Sequence, residues 1–329
     1  AIESMGDKIT SKKIAQEAGV STVPGYMGLI NSEDEAVKIS KEIGYPVMIK
    51  ASAGGGGKGM RIAYNEDDIP DAYTSSINEA KSSFGDDRVF IEKFVEFPKH
   101  IEIQVLGDQF GNFIHLGERE CTIQRRHQKV IEEAPSIFVT EELRKKMVEQ
   151  AIQLAKAVGY YSAGTVEFVV DKEKNFYFLE MNTRLQVEHP VTEEVTGKDL
   201  VYEQLRISRG EDLGYSQEDI SWDGSSIEAR LYAEDPANDF LPATGTLIAY
   251  KVDKNIDARW DTGVKQGSVI GTDFDPMLAK VITKGKNRTD ATNKLALALQ
   301  SLHIGGVTTN RDFLVECLRS KDFYKGNTT

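Results

Sequence analysis

Apolar and polar positions switch between helical and extended periods along the chain. Lys8 to Ala18 reads as a helix stopped by Gly19, with Pro24 beyond. Ser32 and Glu35 stand at capping-box spacing and open a second predicted helix that ends at Gly44. Pro46-Val47-Met48-Ile49-Lys50 is a short apolar strand, followed by a glycine run and a second strand, Met60 to Ala63. Val89 to Phe94 reads as another strand. Ile101, Ile103 and Val105 then alternate with His100, Glu102 and Gln104, the pattern of a half-buried strand. After Thr140, the residues Leu143, Met147, Ala151, Leu154, Ala155 and Val158 recur at helical spacing until Gly159. Thr165 to Val170 and Phe176 to Met181 flank the polar segment Asp171 to Asn175 and predict a hairpin. A domain boundary is expected at Trp222 to Ser225, where a loop-like stretch gives way to new β-rich sequence at Ile227. A final helix is predicted from about Asp290 to Leu302. The order is mixed α+β rather than a regular βαβ alternation.

Composition narrows the function. A chain of 329 residues can bury a large core. Its net charge of −12 argues against general nucleic-acid binding, so any phosphate site must be a local basic cluster. Cys121 and Cys317 are too far apart for a CxxC pair, which disfavours a disulfide scaffold or zinc site and suits a reducing compartment. No apolar run reaches the roughly 18 residues of a membrane span. The chain starts at Ala1 without a signal-like segment and is expected to be a piece of a longer protein.

Three segments carry candidate chemistry. In Ala53-Gly54-Gly55-Gly56-Gly57-Lys58-Gly59, free N–H groups can cradle phosphate oxygens, and the same run also suits a surface turn. Its formal dinucleotide fingerprint is weak because a strand, not a helix, follows, and no Ser or Thr follows Lys58 to complete a Walker motif. Lys50 on the preceding strand resembles the way kinases cover nucleotide phosphates. Glu167 and Glu180 lie at similar distances from the hairpin turn, so they can face each other and share a Mg²⁺ or Mn²⁺ with Asn182, or else point outward as solvated acids. In Asn182 to His189, the side chains of Arg184, Gln186 and Glu188 fall on one face if the chain is extended, offering a guanidinium, an amide and a carboxylate to a small planar anion. Gln124 to Lys129 adds a basic cluster, which on its own also fits a solvated loop.

These pieces, in this order, resemble the biotin carboxylase family of the ATP-grasp superfamily. The resemblance rests on MGDK at Met5 to Lys8, IKASAGGGGKGMR at Ile49 to Arg61, IEKF at Ile91 to Phe94, and HIEIQV at His100 to Val105. It continues through ERECTIQRRHQKVIEEAP at Glu118 to Pro135, FLEMNTRLQVEHPVTE at Phe178 to Glu193, EARLYAEDP at Glu228 to Pro236 and FDPMLAK at Phe274 to Lys280. It covers essentially the whole chain, and the detailed wording looks most like the α-chains of acetyl- or propionyl-CoA carboxylases.

The resemblance implies an ATP-grasp domain over residues 1–220, with a mobile lid over 22–95, followed by a biotin carboxylase C-terminal domain over 225–329. It implies ATP-dependent carboxylation of biotin by bicarbonate through carboxyphosphate. ATP would meet Lys8, Lys50, Gly56, Gly57, Glu92, Lys93, Phe94, Val95, His100, Gln124 and His127. Glu167, Glu180 and Asn182 would hold Mg²⁺ or Mn²⁺. Bicarbonate would meet Lys129, Arg184, Gln186 and Val187, with Glu188 as the base, and Arg230 and Asp275 would meet biotin. The implied partners are a biotin carboxyl carrier protein or domain, a carboxyltransferase subunit and a second copy of the chain, in the cytoplasm or in a mitochondrial matrix. The family's N-terminal subdomain, an Ala-Met-Lys-Met biotin-attachment motif and a carboxyltransferase region are not found in this sequence. Competing readings are a carbamoyl-phosphate synthase-like ligase, a non-catalytic nucleotide-binding module and, from the glycines alone, an NAD-dependent oxidoreductase.

Overall fold

Local chemistry sets the ends of the elements. In the computed structural model, which describes residues 1–26, 28–52 and 59–328, Asp7 caps helix Lys8–Glu17 by accepting the Thr10 N–H at 2.7 Å, and Gly19 leaves it at φ +77°. Ser32 caps Glu33–Ile43 through the Glu35 N–H at 3.2 Å. The reciprocal half of the expected capping box differs: the Glu35 carboxylate accepts from the Asn31 N–H at 2.8 Å, one residue earlier than the motif predicts. Thr140 caps Glu141–Ala157 in the same way.

Two sheets frame the molecule. The larger has eight antiparallel strands in the spatial order Arg259–Thr262, Met277–Gly285, Ser225–Tyr232, Gln128–Ala134, Phe113–Arg125, Lys99–Gly107, Ser162–Val170 and Phe176–Asn182. The strand that follows Trp222 to Ser225 thus sits inside this sheet, beside Gln128–Ala134. The smaller sheet pairs Gly25–Tyr26, Val89–Lys93, Val47–Ala51 and Met60–Ala63. It has its own apolar core, built around Ala36, Ile39, Val47, Ile49, Ile69 and Ile91. Its central hairpin closes at Gly59, where φ is +68° and an added Cβ would lie 2.8 Å from the Ala51 Cβ, so glycine is required there. Residues 53–58 of the phosphate loop expected from the sequence, Gly56 and Gly57 among them, lie outside the described residues.

The two faces of the large sheet are unlike. Ile101, Ile103, Val105, Val166 and Phe168 pack with Ala15, Leu143, Met147, Ala151 and Leu154 from helices Lys8–Glu17 and Glu141–Ala157. The opposite face of Lys99–Gly107 was expected to meet water. Instead it is buried, and both Glu102 and Gln104 are 0% exposed. The cause is a neighbour that strand periodicity does not reveal. Arg119, also 0% exposed, stands opposite Glu102 and bonds Glu102 (2.5 Å), Gln104 (2.6 Å), Thr165 (3.1 Å), Gln186 (2.9 Å) and Thr192 (3.0 Å). A guanidinium with all its donors paired can be buried where a bare charge cannot.

The sequence pattern makes Arg288–Ser301 the final helix, and the structure adds two more. Arg311–Arg319 and Lys321–Lys325 follow it and bury Leu314, Val315, Leu318 and Phe323 against the core of Ile227, Leu231 and Val281. Both are too short for periodicity to stand out, and packing stabilises them. Among the described residues no helix is long and apolar enough to cross a membrane.

Removing Arg119 leaves Glu102 buried with one cation fewer. Arg119→Leu is expected to destabilise the fold by about 3–5 kcal/mol. A urea-denaturation midpoint indistinguishable from that of the parent protein would contradict this role.

Candidate active site

Every described residue that the sequence assigns to the site lines one cleft of about 890 Å³ between the small sheet and the polar face of the large one. These are Lys8, Lys50, Glu92 to Val95, His100, Gln124, His127, Lys129, Glu167, Glu180, Asn182, Arg184, Gln186 to Glu188, Arg230 and Asp275. His127 sits at the tip of the hairpin between Phe113–Arg125 and Gln128–Ala134, where Arg126 and His127 both have positive φ. Gln124 bonds His100 Nδ1 at 3.1 Å. Asp275 is exposed at the rim and accepts the Met277 N–H.

At one end of the cleft, three lysines converge. Lys12 and Lys50 both pair with the Glu92 carboxylate, which is 3% exposed, and Lys8 lies one helical turn before Lys12. Burial and the charge of Lys8 pull Lys50 down to about 8, and burial with Lys50 and Lys8 pulls Lys12 well below its usual range. One carboxylate among three ammonium groups leaves an excess of positive charge, which suits a polyphosphate. Glu92 was expected among the nucleotide contacts, and here its side chain serves Lys12 and Lys50. Lys93 turns away to the carbonyls of Gly44 and Tyr45 at 3.0 and 2.6 Å.

The centre of the cleft is a row of acids. Glu102, Glu167 and Glu180 are direct register partners on three adjacent strands. Like charges in such positions repel, so the cations around them matter. Lys129 Nζ bonds Glu102 (2.6 Å), Glu167 (2.9 Å) and Glu188 (2.6 Å), and His100 Nε2 lies 2.7 Å from Glu167. Burial pushes Glu102 and Glu167 up, but Arg119 and Lys129 at the first, and His100 and Lys129 at the second, outweigh it and hold both below the usual carboxylate range. Burial lowers Lys129, and its ring of carboxylates reverses this and holds it firmly charged. Asn182 Nδ2 donates to Glu167 Oε1 (2.9 Å) and to Glu180 Oε1 (3.2 Å), so the two acids and the amide converge as the hairpin register predicts. The two carboxylates suit a hard divalent cation, and Asn182 would join them as an oxygen ligand once its amide turns Oδ1, here on Arg184, toward them.

The segment after Asn182 is not the extended alternation expected. Gln186 and Glu188 lie in a turn, and Glu188 is the N-cap of helix His189–Thr196. Arg184, Gln186 and Glu188 therefore part company. Arg184 is exposed and reaches Asn182 Oδ1 at 3.1 Å. Gln186 is buried, its amide occupied by Arg119 and Glu167. Glu188, 2% exposed, places one oxygen on Lys129 and the other 3.1 Å from Arg230. Arg230 is held in turn by Glu132 at 2.5 Å, and the Val187 carbonyl accepts from Lys280 at 2.9 Å. Burial lowers Arg230, and Glu132 and Glu188 reverse that and keep it charged.

Sequence reasoning missed Lys12, Glu102 as a buried group, Arg119 and Glu132. Lys12 had a signal, its i,i+4 spacing from Lys8. Glu102 had only the weak signal of a charge between two isoleucines, and Arg119, flanked by Glu118 and Glu120, and Glu132, beside Glu133, had none.

Two family models match the chain. Residues 7–216 match the family model "Carbamoyl-phosphate synthase L chain, ATP binding domain", and residues 228–329 match "Biotin carboxylase C-terminal domain". The propionyl-CoA carboxylase alpha chain of Ruegeria pomeroyi is 57% identical over 100% of this chain and 51% of its own length. Biotin carboxylase 2 of Bacillus subtilis is 49% identical over 100% of this chain and 74% of its own. A crystal structure of the biotin carboxylase domain dimer of Hydrogenobacter thermophilus 2-oxoglutarate carboxylase, in complex with MgADP, ADP and bicarbonate, superposes with a TM-score of 0.95 at 48% identity. It covers 100% of this chain and 72% of that one. The chain spans about half the length of the propionyl-CoA carboxylase α-chains it matches.

The lysine cluster makes a pH prediction. The unfolded chain binds more protons than the fold between Lys50's folded value of about 8 and its ordinary 10.5, so this group's share of stability rises with pH across that window. A polyanion favours the ammonium form and raises the folded value. Tripolyphosphate binding near pH 8 should therefore take up protons, seen by calorimetry in two buffers of different ionisation enthalpy, and Lys50→Met should reduce the uptake. Binding without proton uptake would contradict the assignment.

Proposed function

Because the chain belongs to the biotin carboxylase family of ATP-grasp enzymes, we propose that this protein uses ATP and bicarbonate to carboxylate biotin presented by a carrier, the first half-reaction of an acyl-CoA carboxylase. One observation carries the reading. Glu188, a buried carboxylate, lies between Lys129 and Arg230, where the acid row meets the C-terminal strands. That is a base in a cationic setting, poised between a small anion and a second substrate.

In this reading Lys8, Lys12 and Lys50 hold the ATP phosphates, and His100, Gln124, His127 and the Glu92–Val95 segment hold the rest of the nucleotide. Glu167, Glu180 and Asn182 would hold Mg²⁺ or Mn²⁺, the Asn182 amide turning over from its present hydrogen bonds to offer its oxygen. The metal, when bound, neutralises phosphate charge as the γ-phosphoryl group moves. Lys129 and Arg184 bind bicarbonate beside the Val187 backbone, with Gln186 anchoring that segment from below. Glu188 removes the bicarbonate proton, and the freed oxygen attacks the γ-phosphorus, breaking its bond to the bridging oxygen and releasing ADP. Carboxyphosphate then divides into CO₂ and phosphate. Phosphate takes the biotin ureido N–H proton, Arg230 balances the enolate charge, and the nitrogen attacks CO₂. Asp275 at the rim orients the biotin ring's approach. The 22–95 unit closes over the nucleotide as a lid and excludes water from carboxyphosphate. Residues 1–220 act as the ATP-grasp domain and 225–329 as the biotin carboxylase C-terminal domain.

The propionyl-CoA carboxylase relatives support a carboxyltransferase subunit and a biotin carrier as partners, and the dimer of the 2-oxoglutarate carboxylase domain supports a second copy. The mitochondrial relatives and the two unpaired cysteines support a reducing compartment, either cytoplasm or mitochondrial matrix.

The test is ADP release from Mg-ATP in the full-length protein, with bicarbonate and with or without free biotin. Release that needs bicarbonate and rises with biotin is expected, and Glu188→Gln should keep ATP binding while losing that turnover. Bicarbonate-dependent release indifferent to biotin would point instead to a carbamoyl-phosphate synthase-like ligase, and no release from the folded, ATP-binding protein would point to a nucleotide-binding module.

A further inference from the structure

Behind Arg230 lies a second pair of acids that the reading above does not use. Glu228 and Glu132 are register partners on adjacent strands, with their side chains on the same face, and both are 0% exposed. Glu132 gives one oxygen to Arg230 at 2.5 Å. Its other oxygen, and both oxygens of Glu228, meet no donor among the described residues.

The surroundings offer little to neutralise two charges here. Arg230 on the same strand is shared between Glu132 and Glu188. Lys129, on the strand of Glu132, bonds Glu102, Glu167 and Glu188. On the other side, Lys280 bonds the Val187 carbonyl and lies 3.4 Å from Asp261, and Lys284 pairs with Asp223 at 2.9 Å. Helix His189–Thr196 lies over these strands, its Val191 and Val195 packed on Ala134 and Ile282 beside the pair. Its own His189 and Glu193 turn to the Gln186 carbonyl and to Arg259. Two ionised carboxylates with three unpartnered oxygens would repel each other without solvent. One shared proton removes the conflict, since a neutral carboxyl donates and its neighbour accepts. Consistently, burial and the charge of Glu132 push Glu228 well above the carboxylate range, and burial raises Glu132 to about 7 against the pull of Arg230.

We propose that Glu228 is a neutral carboxylic acid in the working protein, that it donates its proton in a hydrogen bond to Glu132, and that through Glu132 it is a positioning residue for Arg230. The pair gives Arg230 a fixed anchor independent of Glu188. When Glu188 takes the bicarbonate proton, its hold on Arg230 weakens, and the Glu132 anchor keeps the guanidinium in place for the second substrate. The role of Arg230 rests on the biotin carboxylase reading, whereas the acid pair does not.

Infrared difference spectra of the full-length protein at neutral pH, parent against Glu228→Gln, test the pair. A protonated-carboxyl C=O band should disappear in Glu228→Gln and shift in Glu132→Gln. In kinetics, Glu228→Gln, whose amide still donates, should stay within about twofold of the parent. Glu228→Leu should lose about tenfold in biotin-dependent kcat, with the KM for ATP unmoved. Absence of a lost carboxyl band, or a Gln variant as slow as the Leu variant, would overturn the proposal. If Glu228→Leu does not fold, the band and the Gln variant decide. A parent protein with no biotin-dependent turnover would overturn the assigned reaction, and the band would still decide the acid pair.

Discussion

The buried guanidinium of Arg119 ties four elements of the molecule to one point. It bonds Glu102 and Gln104 on one strand, Thr165 on the next, Gln186 in the turn after the metal-type donors and Thr192 in the helix that Glu188 caps. The turn that carries Glu188 is thus fixed to the sheet from below. Glu102, held by Arg119, in turn holds Lys129. Both the proposed base and the cation beside it therefore take their positions from one side chain with no exposure to solvent. Such a network is costly to assemble and rigid once complete.

Charge balance explains why the sheet tolerates so many acids. Arg119, Lys129, Arg230 and Lys280 stand against Glu102, Glu132, Glu167, Glu180, Glu188 and Glu228. The excess of carboxylates lies at two places, the Glu167–Glu180 pair and the Glu132–Glu228 pair. In the proposed reading a divalent cation would relieve the first and a retained proton the second. Between the two pairs stands Glu188, a buried carboxylate bonded to Lys129 and Arg230.

Much of this was readable in the sequence, for physical reasons that also mark the limits. The cap at Ser32, the helices that begin at Lys8 and after Thr140, and the hairpin that opposes Glu167 to Glu180 are local, and local rules found them. The long motifs contain the residues that the fold gathers into one cleft. The burial of Glu102 was not readable, because alternation within one strand says nothing about what covers its polar face; Arg119 on the neighbouring strand does. The segment after Asn182 was misread as extended because its polar period of two also fits a turn running into Pro190 at the start of a helix. The last two helices were too short to show a period.

The central claim is that this cleft makes bicarbonate, with Glu188 as its base, attack the γ-phosphorus of ATP. The most direct measurement follows ¹⁸O from labelled bicarbonate during biotin-dependent turnover of the full-length protein. The account predicts that one labelled oxygen appears in the inorganic phosphate for each turnover, because the attacking oxygen stays on phosphorus when carboxyphosphate breaks down. Inorganic phosphate free of label, released at the same rate as carboxylated biotin, would contradict it.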